Sequence, residues 1–429
     1  MDILIVPQEF GYGPAAEIIN VMELVQKNQN QALEYKYWLN HATLNLCESQ
    51  VFNNIEGESI FDFSKRDKTL AEIKMIVSSY DAESVFWGWW HNKKVIYYNG
   101  ISSFLEMNFQ KKDKIKYYID YFNELKEQKK IDLFTKELRN LFENELHTVL
   151  VLAMHFADFC FVRNNPNLVI NENYPENVKV ISALVPYVTK QPKDFYKNNE
   201  YIYISLSGSL APVIPFEKNI AFVQNALKFF EELSSRKEFT NIDFIFTCNS
   251  KIYSLIKNNN YSNKIKVYPS KDPMENAWLM QNAQLVFASP GYTTVHECAH
   301  LNTPVIFLPE QNGSQPIGYH VLQKSGYPSL PSLITSLNSD LANEFREDCI
   351  NELYDRAIKL FKGIAYQQQV KSCIDFSLNL LADEKMNQHV SNSQRKAVEK
   401  SFHGFSGTSE LAEIISKNID SFNVNINNH

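Results

Sequence analysis

The chain has 429 residues, too many for one ordinary hydrophobic core, so about two or three domains are expected. Hydrophobic residues make up 44% and charged residues 21%, which excludes a chain that stays disordered. A formal charge of -7 argues against nucleic acid as the main partner, because phosphate backbones need clustered Lys and Arg.

The opening "MDILIVPQEFGYG" has no basic n-region, so "ILIV" reads as the core of a first strand rather than as part of a signal peptide. No run approaches the roughly 18 apolar residues of a membrane span. Six scattered cysteines, Cys47, Cys160, Cys248, Cys298, Cys349 and Cys373, form no C-x-x-C pair and read as reduced thiols of a cytoplasmic protein. After the first strand comes a loop with Gly11 and Gly13, then a helix over about 15–26. "EYKYWLNHA", "ESVFWGWW" and "KVIYYNG" read as strands, and "DFCFVRNN" and "VKVISALV" close a first domain at residue 187. Residues 106–148 interrupt it with a charged helical stretch, read as one or two surface helices, with acceptor contact or self-association as the candidate roles.

The polar segment "VTKQPKDFYKNNE" (188–200) reads as a linker. A second alternating series follows: strand "YIYISLS", a helix over 216–235, strands "IDFIFTC" and "KIKVYPS", a short helix, strand "QLVFAS", a helix over about 292–301 and strand "TPVIFLP". Alternation of this kind predicts two α/β domains with largely parallel sheets, 1–187 and 188–385, and then a polar tail and terminal helix over 386–429. "FWGWWH" (86–91) is either core or an aromatic platform, since three tryptophans following a strand cannot all face inward.

The stretch "TTVHECAHLNTPVIF" (293–307) spells H-E-x-x-H at His296, Glu297 and His300, the pattern of a zinc protease. Its helix is only about two turns long, because Asn302-Thr303-Pro304 ends it. The nearest downstream acid, Glu310, lies beyond a whole strand, and no third-ligand extension follows. Read from the left, the same residues describe something else. An apolar strand runs into Ser289-Pro290-Gly291, and a helix opens with Thr293 and Thr294. Free N–H groups, the helix dipole and adjacent hydroxyls suit a phosphate, and Glu297 one turn in suits the two hydroxyls of an attached ribose. The plainer alternative is a capped helix whose glutamate only favours the dipole. His296 and His300 are expected on the helix flank, binding nothing, and Cys298 as a packed thiol.

Residues 289–297 resemble the donor signature H-C-G-W-N-S-x-x-E of GT-B glycosyltransferases, of the plant, macrolide and peptidoglycan N-acetylglucosaminyl types, keeping Gly291, a hydroxyl at Thr294 and Glu297 in register. The resemblance implies two Rossmann-like domains facing a cleft, a helical elaboration in the first, and a C-terminal helix that crosses back to it. It implies a donor diphosphate held by Ser289, Gly291, Thr293 and Thr294, with Ser207, Gly208 and Ser209 approaching from "ISLSGSL", and a ribose held by Glu297. "KVYPSKDPMENAW" is similar to the base-binding stretch and implies Val267, Tyr268 and Pro269 beside the nucleobase, with Met274 at the next helix start. "NTPVIFLPEQNGSQP" resembles the segment whose Asp-Gln pair grips the donor sugar. Here the pair is Ser314-Gln315, with one residue inserted. Gly11 and Gly13 match the N-terminal glycine loop, but the histidine that follows it in many members is Pro14, which accepts no proton.

The implied activity is transfer of a sugar from a nucleoside-diphosphate sugar, UDP favoured, to an unidentified acceptor, by inversion. No D-x-D occurs, so no metal or other cofactor is expected. The acceptor base would come from the first domain, either Glu9 in the glycine loop or His41 after the second strand. Rival readings are a GT-B-like nucleotide-sugar epimerase or hydrolase, and a catalytically degenerate sugar-nucleotide-binding protein.

Overall fold

The structure is a computed structural model. It describes residues 2–8, 12–29, 35–39, 53–56, 72–100, 112–166, 168, 170, 174–176, 178–193, 195, 200–206, 214–335, 347–363 and 366–427. The chain divides into two compact units. One comprises Met1–Glu9, Val21–Ala183 and Ser409–His429, and the other comprises Phe10–Asn20 and Leu184–Thr408.

Among the described residues the first unit holds seven strands: β1 (Asp2–Pro7), β2 (Tyr35–Leu39), β3 (Asn53–Glu56), β4 (Ile73–Ser79), β5 (Lys94–Asn99), β6 (Phe159–Arg163) and β7 (Val178–Ile181). They form one parallel sheet in the order β3-β2-β1-β4-β5-β6-β7. Strands β1 and β5 are buried on both faces over most of their length, which is why "ILIV" and "VIYY" read as unbroken apolar runs. Helix α1 (Tyr12–Asn28) starts three residues earlier than expected and carries Pro14 in its first turn, where the missing N–H costs nothing. Its first nine residues belong to the second unit and the rest to the first.

"ESVFWGWW" is not a strand. It forms helix α2 (Ala82–Trp90), started by Asp81, whose carboxylate accepts from the Ser84 N–H at 2.7 Å. Helical spacing resolves the three tryptophans. Trp87 is buried, while Trp89 and Trp90 are half-buried against Phe134 and Phe156, so none stands exposed as a platform. Gly88 sits where α2 presses on the sheet, and a Cβ there would lie 2.5 Å from Val95 and 2.9 Å from Ile76. The charged stretch forms α3 (Lys112–Glu127) and α4 (Ile131–Asn144), followed by the buried α5 (Leu146–Phe156). All three pack through Phe122, Leu138, Leu141 and Leu152 into one core with Phe86 and Val95.

The second unit holds β8 (Glu200–Leu206), β9 (Ile242–Cys248), β10 (Ile265–Pro269), β11 (Leu285–Ala288) and β12 (Val305–Phe307), parallel in the order β10-β9-β8-β11-β12. The intervening helices are α6 (Phe216–Ser234), α7 (Ser250–Ile256), α8 (Pro273–Gln281), α9 (Tyr292–His300) and α10 (Ser314–Lys324). They are followed by α11 (Glu347–Phe361), α12 (Gln367–Ala382), α13 (Glu384–Phe402) and α14 (Gly407–Asn427).

The segment read as a polar tail is therefore largely helix. Asp383 caps α13 by accepting from the N–H groups of Lys385 and Met386. A buried stripe of Val390, Gln394, Ala397, Val398 and Phe402 runs along it. The Gln394 amide meets both backbone groups of Val305, at 3.0 and 2.8 Å, completing edge strand β12 with a side chain. From Ser409 onward α14 groups with the first unit. No helix among the described residues is long and apolar enough to cross a membrane.

Candidate functional site

In a parallel sheet that winds outward from a central strand, ligands bind beyond the carboxyl ends of the two strands where the order reverses. In the second unit those strands are β8 and β11, paired up to Ser205 opposite Ala288. The segments leaving them are 207–213 and 289–291. Ser207, Gly208 and Ser209 lie outside the described residues, as do Glu9, Gly11 and His41. The β11 segment leads straight into α9.

Helix α9 opens on Gly291, whose extended backbone (φ -74, ψ 137) makes the cap without any side-chain hydrogen bond. The positive end of the helix dipole lies at its first N–H groups, where the glycine cap places no side chain of its own. Ser289 is tied into the loop, donating its hydroxyl to Pro309 O at 2.7 Å, and is buried. Thr293 and Thr294 are half-buried at the helix start. Gln315 approaches Gly291 from α10. Its Nε2 lies 3.8 Å from where a Cβ on Gly291 would be, and its Oε1 accepts the Gln311 N–H at 2.6 Å. Ser314 turns instead to Asn312, donating both its hydroxyl and its N–H to Oδ1.

The expected base-binding residues share one edge. Val267, Tyr268 and Pro269 end β10, half-buried, and Met274 is half-buried in the first turn of α8. Tyr268 packs against Phe195, with its ring centre 5.0 Å from Lys271 Nζ.

Glu297, the residue expected to hold the ribose, is only 1% exposed. Its Oε1 meets no hydrogen-bond partner among the described residues. Burial first, and the Glu17 carboxylate second, push its carboxyl up to about 8. Glu17, absent from the sequence-derived site, is 0% exposed and accepts the Thr293 hydroxyl at 3.0 Å. Gly13, one turn before it, comes so close that a Cβ would lie 2.8 Å from Thr293 Oγ1 and would have to push that hydroxyl aside. Tyr12 adds a hydroxyl bond to Lys271 O at 2.9 Å. The first turns of α1 and α9 thus lie side by side, Gly13 against Thr293, with the two glutamates one turn farther in. A lone acid in the apolar run "PAAEIINVM" was the available signal for Glu17.

The two histidines of H-E-x-x-H go elsewhere. His296 is buried rather than on the flank, stacked on Tyr292 and 4.3 Å edge-on to Phe402. His300 packs between Tyr187 and Phe405, where burial lowers its proton affinity. Cys298 is a fully buried thiol, held protonated by desolvation. Glu310 is taken by the N–H and hydroxyl of Thr335. Among the described residues no three His, Cys, Asp or Glu converge as metal ligands.

No family model matches the chain, and no curated protein matches it in sequence. Solved structures do match it in fold. The spinosyn rhamnosyltransferase SpnG superposes over 96% of this chain and 100% of its own, at 10% identity and a TM-score of 0.50. The spinosyn forosaminyltransferase SpnP covers 98% and 99%, at 11% identity and 0.50. The S. aureus MnaA–UDP co-structure covers 98% and 96%, at 12% identity and 0.50. At such identities what is shared is architecture, and the chain is a GT-B fold protein built from two Rossmann-like α/β units.

Proposed function

We propose that this protein is a glycosyltransferase that moves a sugar from a nucleoside-diphosphate sugar, UDP-linked by preference, to an acceptor. The observation that carries the reading is the meeting of α9's glycine-capped start, its threonine hydroxyls and Gln315 beyond the switch-point strands of the second sheet. MnaA forms a co-structure with UDP, and SpnG and SpnP are a rhamnosyltransferase and a forosaminyltransferase.

In this reading the diphosphate lies at the α9 N-terminus against Gly291, Thr293 and Thr294, with Ser207, Gly208 and Ser209 alongside. Ser289 contributes by holding the loop. Glu297 takes the ribose, and Val267, Tyr268, Pro269 and Met274 face the base. Gln315 takes the sugar, with Ser314 beside it. As the glycosidic bond breaks, negative charge grows on the diphosphate, and fixed N–H and hydroxyl dipoles stabilise it without a metal ion. The acceptor hydroxyl loses its proton to Glu9, with His41 as the second candidate, and attacks with inversion.

The test is the unfolding midpoint with UDP, dTDP, GDP, CDP and ADP, each with and without chelator. A ligand at 100 times its Kd stabilises by about 2.7 kcal/mol. One diphosphate is expected to raise the midpoint regardless of chelator, and Thr294→Val to diminish the rise. No rise with any of the five would remove the reading.

A further inference from the structure

The base end of the donor site holds a charge that lies outside the sequence-derived set of residues. Lys271, in the turn between β10 and α8, is 8% exposed, an unusual depth for a lysine. Its ammonium stands over the ring of Tyr268, 5.0 Å from the ring centre. Tyr268 also packs on Phe195, with ring centres 6.1 Å apart and ring planes 59° apart. A base beside Tyr268 therefore meets a cation as well as an aromatic ring.

The turn holds that cation in place through its neighbours. Ser270 before it donates both its N–H and its hydroxyl to Cys248 O, at 2.7 and 3.0 Å. Asp272 after it caps α8, accepting the Glu275 N–H at 2.9 Å, and pairs with Lys190 at 3.8 Å. The carbonyl of Lys271 itself accepts the Tyr12 hydroxyl at 2.9 Å. With the backbone pinned on both sides, only the side chain's own rotamers remain to be set, and the Tyr268 face sets them.

We propose that Lys271 selects the base of the donor. Its ammonium donates to the exocyclic oxygen of a keto-bearing base, O4 of uracil or thymine or O6 of guanine. It disfavours the amino group that cytosine or adenine carries at the same place. The inference rests on the donor site described under Proposed function. An ammonium has three N–H donors and no acceptor, so it satisfies a carbonyl but leaves an amino group facing a second donor. In a buried site that mismatch leaves a polar group unpaired on each side. In the same reading the ribose lies towards α9, which follows β11, whereas β10 is the far edge strand of the sheet. The edge of the base that reaches Lys271 is thus the one away from the ribose, where the keto or amino group sits. Lys271 is a specificity-determining residue and takes no part in the transfer.

Calorimetric titration of the full chain with UDP, CDP, GDP and ADP compares keto with amino bases within each ring size. UDP and CDP share their ribose and diphosphate, so the ratio of their Kd values isolates the base, and the GDP and ADP pair serves if only purines bind. The wild type is expected to favour the keto member by about ten- to a hundredfold, the worth of a hydrogen bond from a charged donor. Lys271→Met keeps a stem over Tyr268 without the ammonium and should bring the preference within about threefold. Lys271→Gln, whose amide both donates and accepts, should do the same while staying polar, so the result does not hang on the folding of one variant. A lysine that served the diphosphate instead would, on substitution, weaken both members alike and leave their ratio unchanged. That result, equal wild-type affinity for both members, or a wild-type preference for the amino base overturns the proposal and leaves the donor site standing. No binding of any of the four diphosphates overturns both.

Discussion

Glu297→Gln isolates the cost of burying an acid in this site. The glutamine keeps the shape and removes the ionisation. In the folded protein the Glu297 carboxyl is raised from the ordinary 4.5 to about 8, mainly by burial and secondarily by Glu17. A carboxyl raised on folding contributes stability that is complete below its unfolded value and is lost as pH climbs from there through the folded value. The reason is that the unfolded chain ionises while the folded chain cannot. Each pH unit is worth about 1.4 kcal/mol, so the wild type should forfeit about 5 kcal/mol in all between roughly pH 4.5 and 8. The glutamine variant forfeits none of this. Urea unfolding of both proteins at about pH 5.5 and 7.5 should show the gap between them shifting by about 2–3 kcal/mol in favour of the variant at the higher pH. A gap that stays constant across that window would mean Glu297 is ionised or hydrated in the folded protein, and the buried acid pair would be refuted.

Three further substitutions probe the packing around the site. Gly13→Ala gains about 1 kcal/mol of helix propensity but must push Thr293 Oγ1 off its 2.8 Å approach. Stability by urea unfolding is therefore expected to change by less than about 1 kcal/mol, while the diphosphate-induced rise in midpoint shrinks. Gln394→Ala leaves the buried N–H and C=O of Val305 without partners and should cost about 2–3 kcal/mol. A cost below about 0.5 kcal/mol would mean that water replaces the amide. Asp81→Ala removes the cap of α2 and should cost about 1 kcal/mol, with Asp81→Asn recovering most of it.

Much of this fold was legible because buried parallel strands announce themselves. "YIYISL", "IDFIFTC" and "LVFA" are short apolar runs that end at turn residues, and β8, β9 and β11 follow them closely. Several elements escaped. "ESVFWGWW" has the aromatic content of a strand, yet Asp81 followed by Glu83 is a helix-start signal, and the capping bond forms. Helix α13 hid for the opposite reason. Its buried stripe includes Ser391, Gln394 and Ser401, so counting apolar residues gives no helical period. Those polar residues are buried because they have work to do there, such as the Gln394 bonds to Val305. Strand β4 was overlooked although "IKMIVSS" carries the pattern.

At the site, legibility stopped where tertiary contact begins. The order strand, Ser289-Pro290-Gly291, Thr293, Thr294, Glu297 lies in a single segment, so its placement at the start of α9 could be read from spacing alone. Glu17 lies 276 positions from Thr293, and its one local signal, a lone acid in an apolar helical run, says nothing of that partner. Its meaning comes only from α1 laying Gly13 against Thr293, which carries the carboxylate to the same hydroxyl. That contact also changes what Glu297 is. Spacing describes a ribose ligand and is silent on its burial, whereas the folded chain holds a buried acid whose carboxyl is raised by burial and by its neighbour. A sequence pattern can supply the groups of a donor site. Whether those groups are charged when the donor arrives is decided by what packs over them, and here it is a second acid.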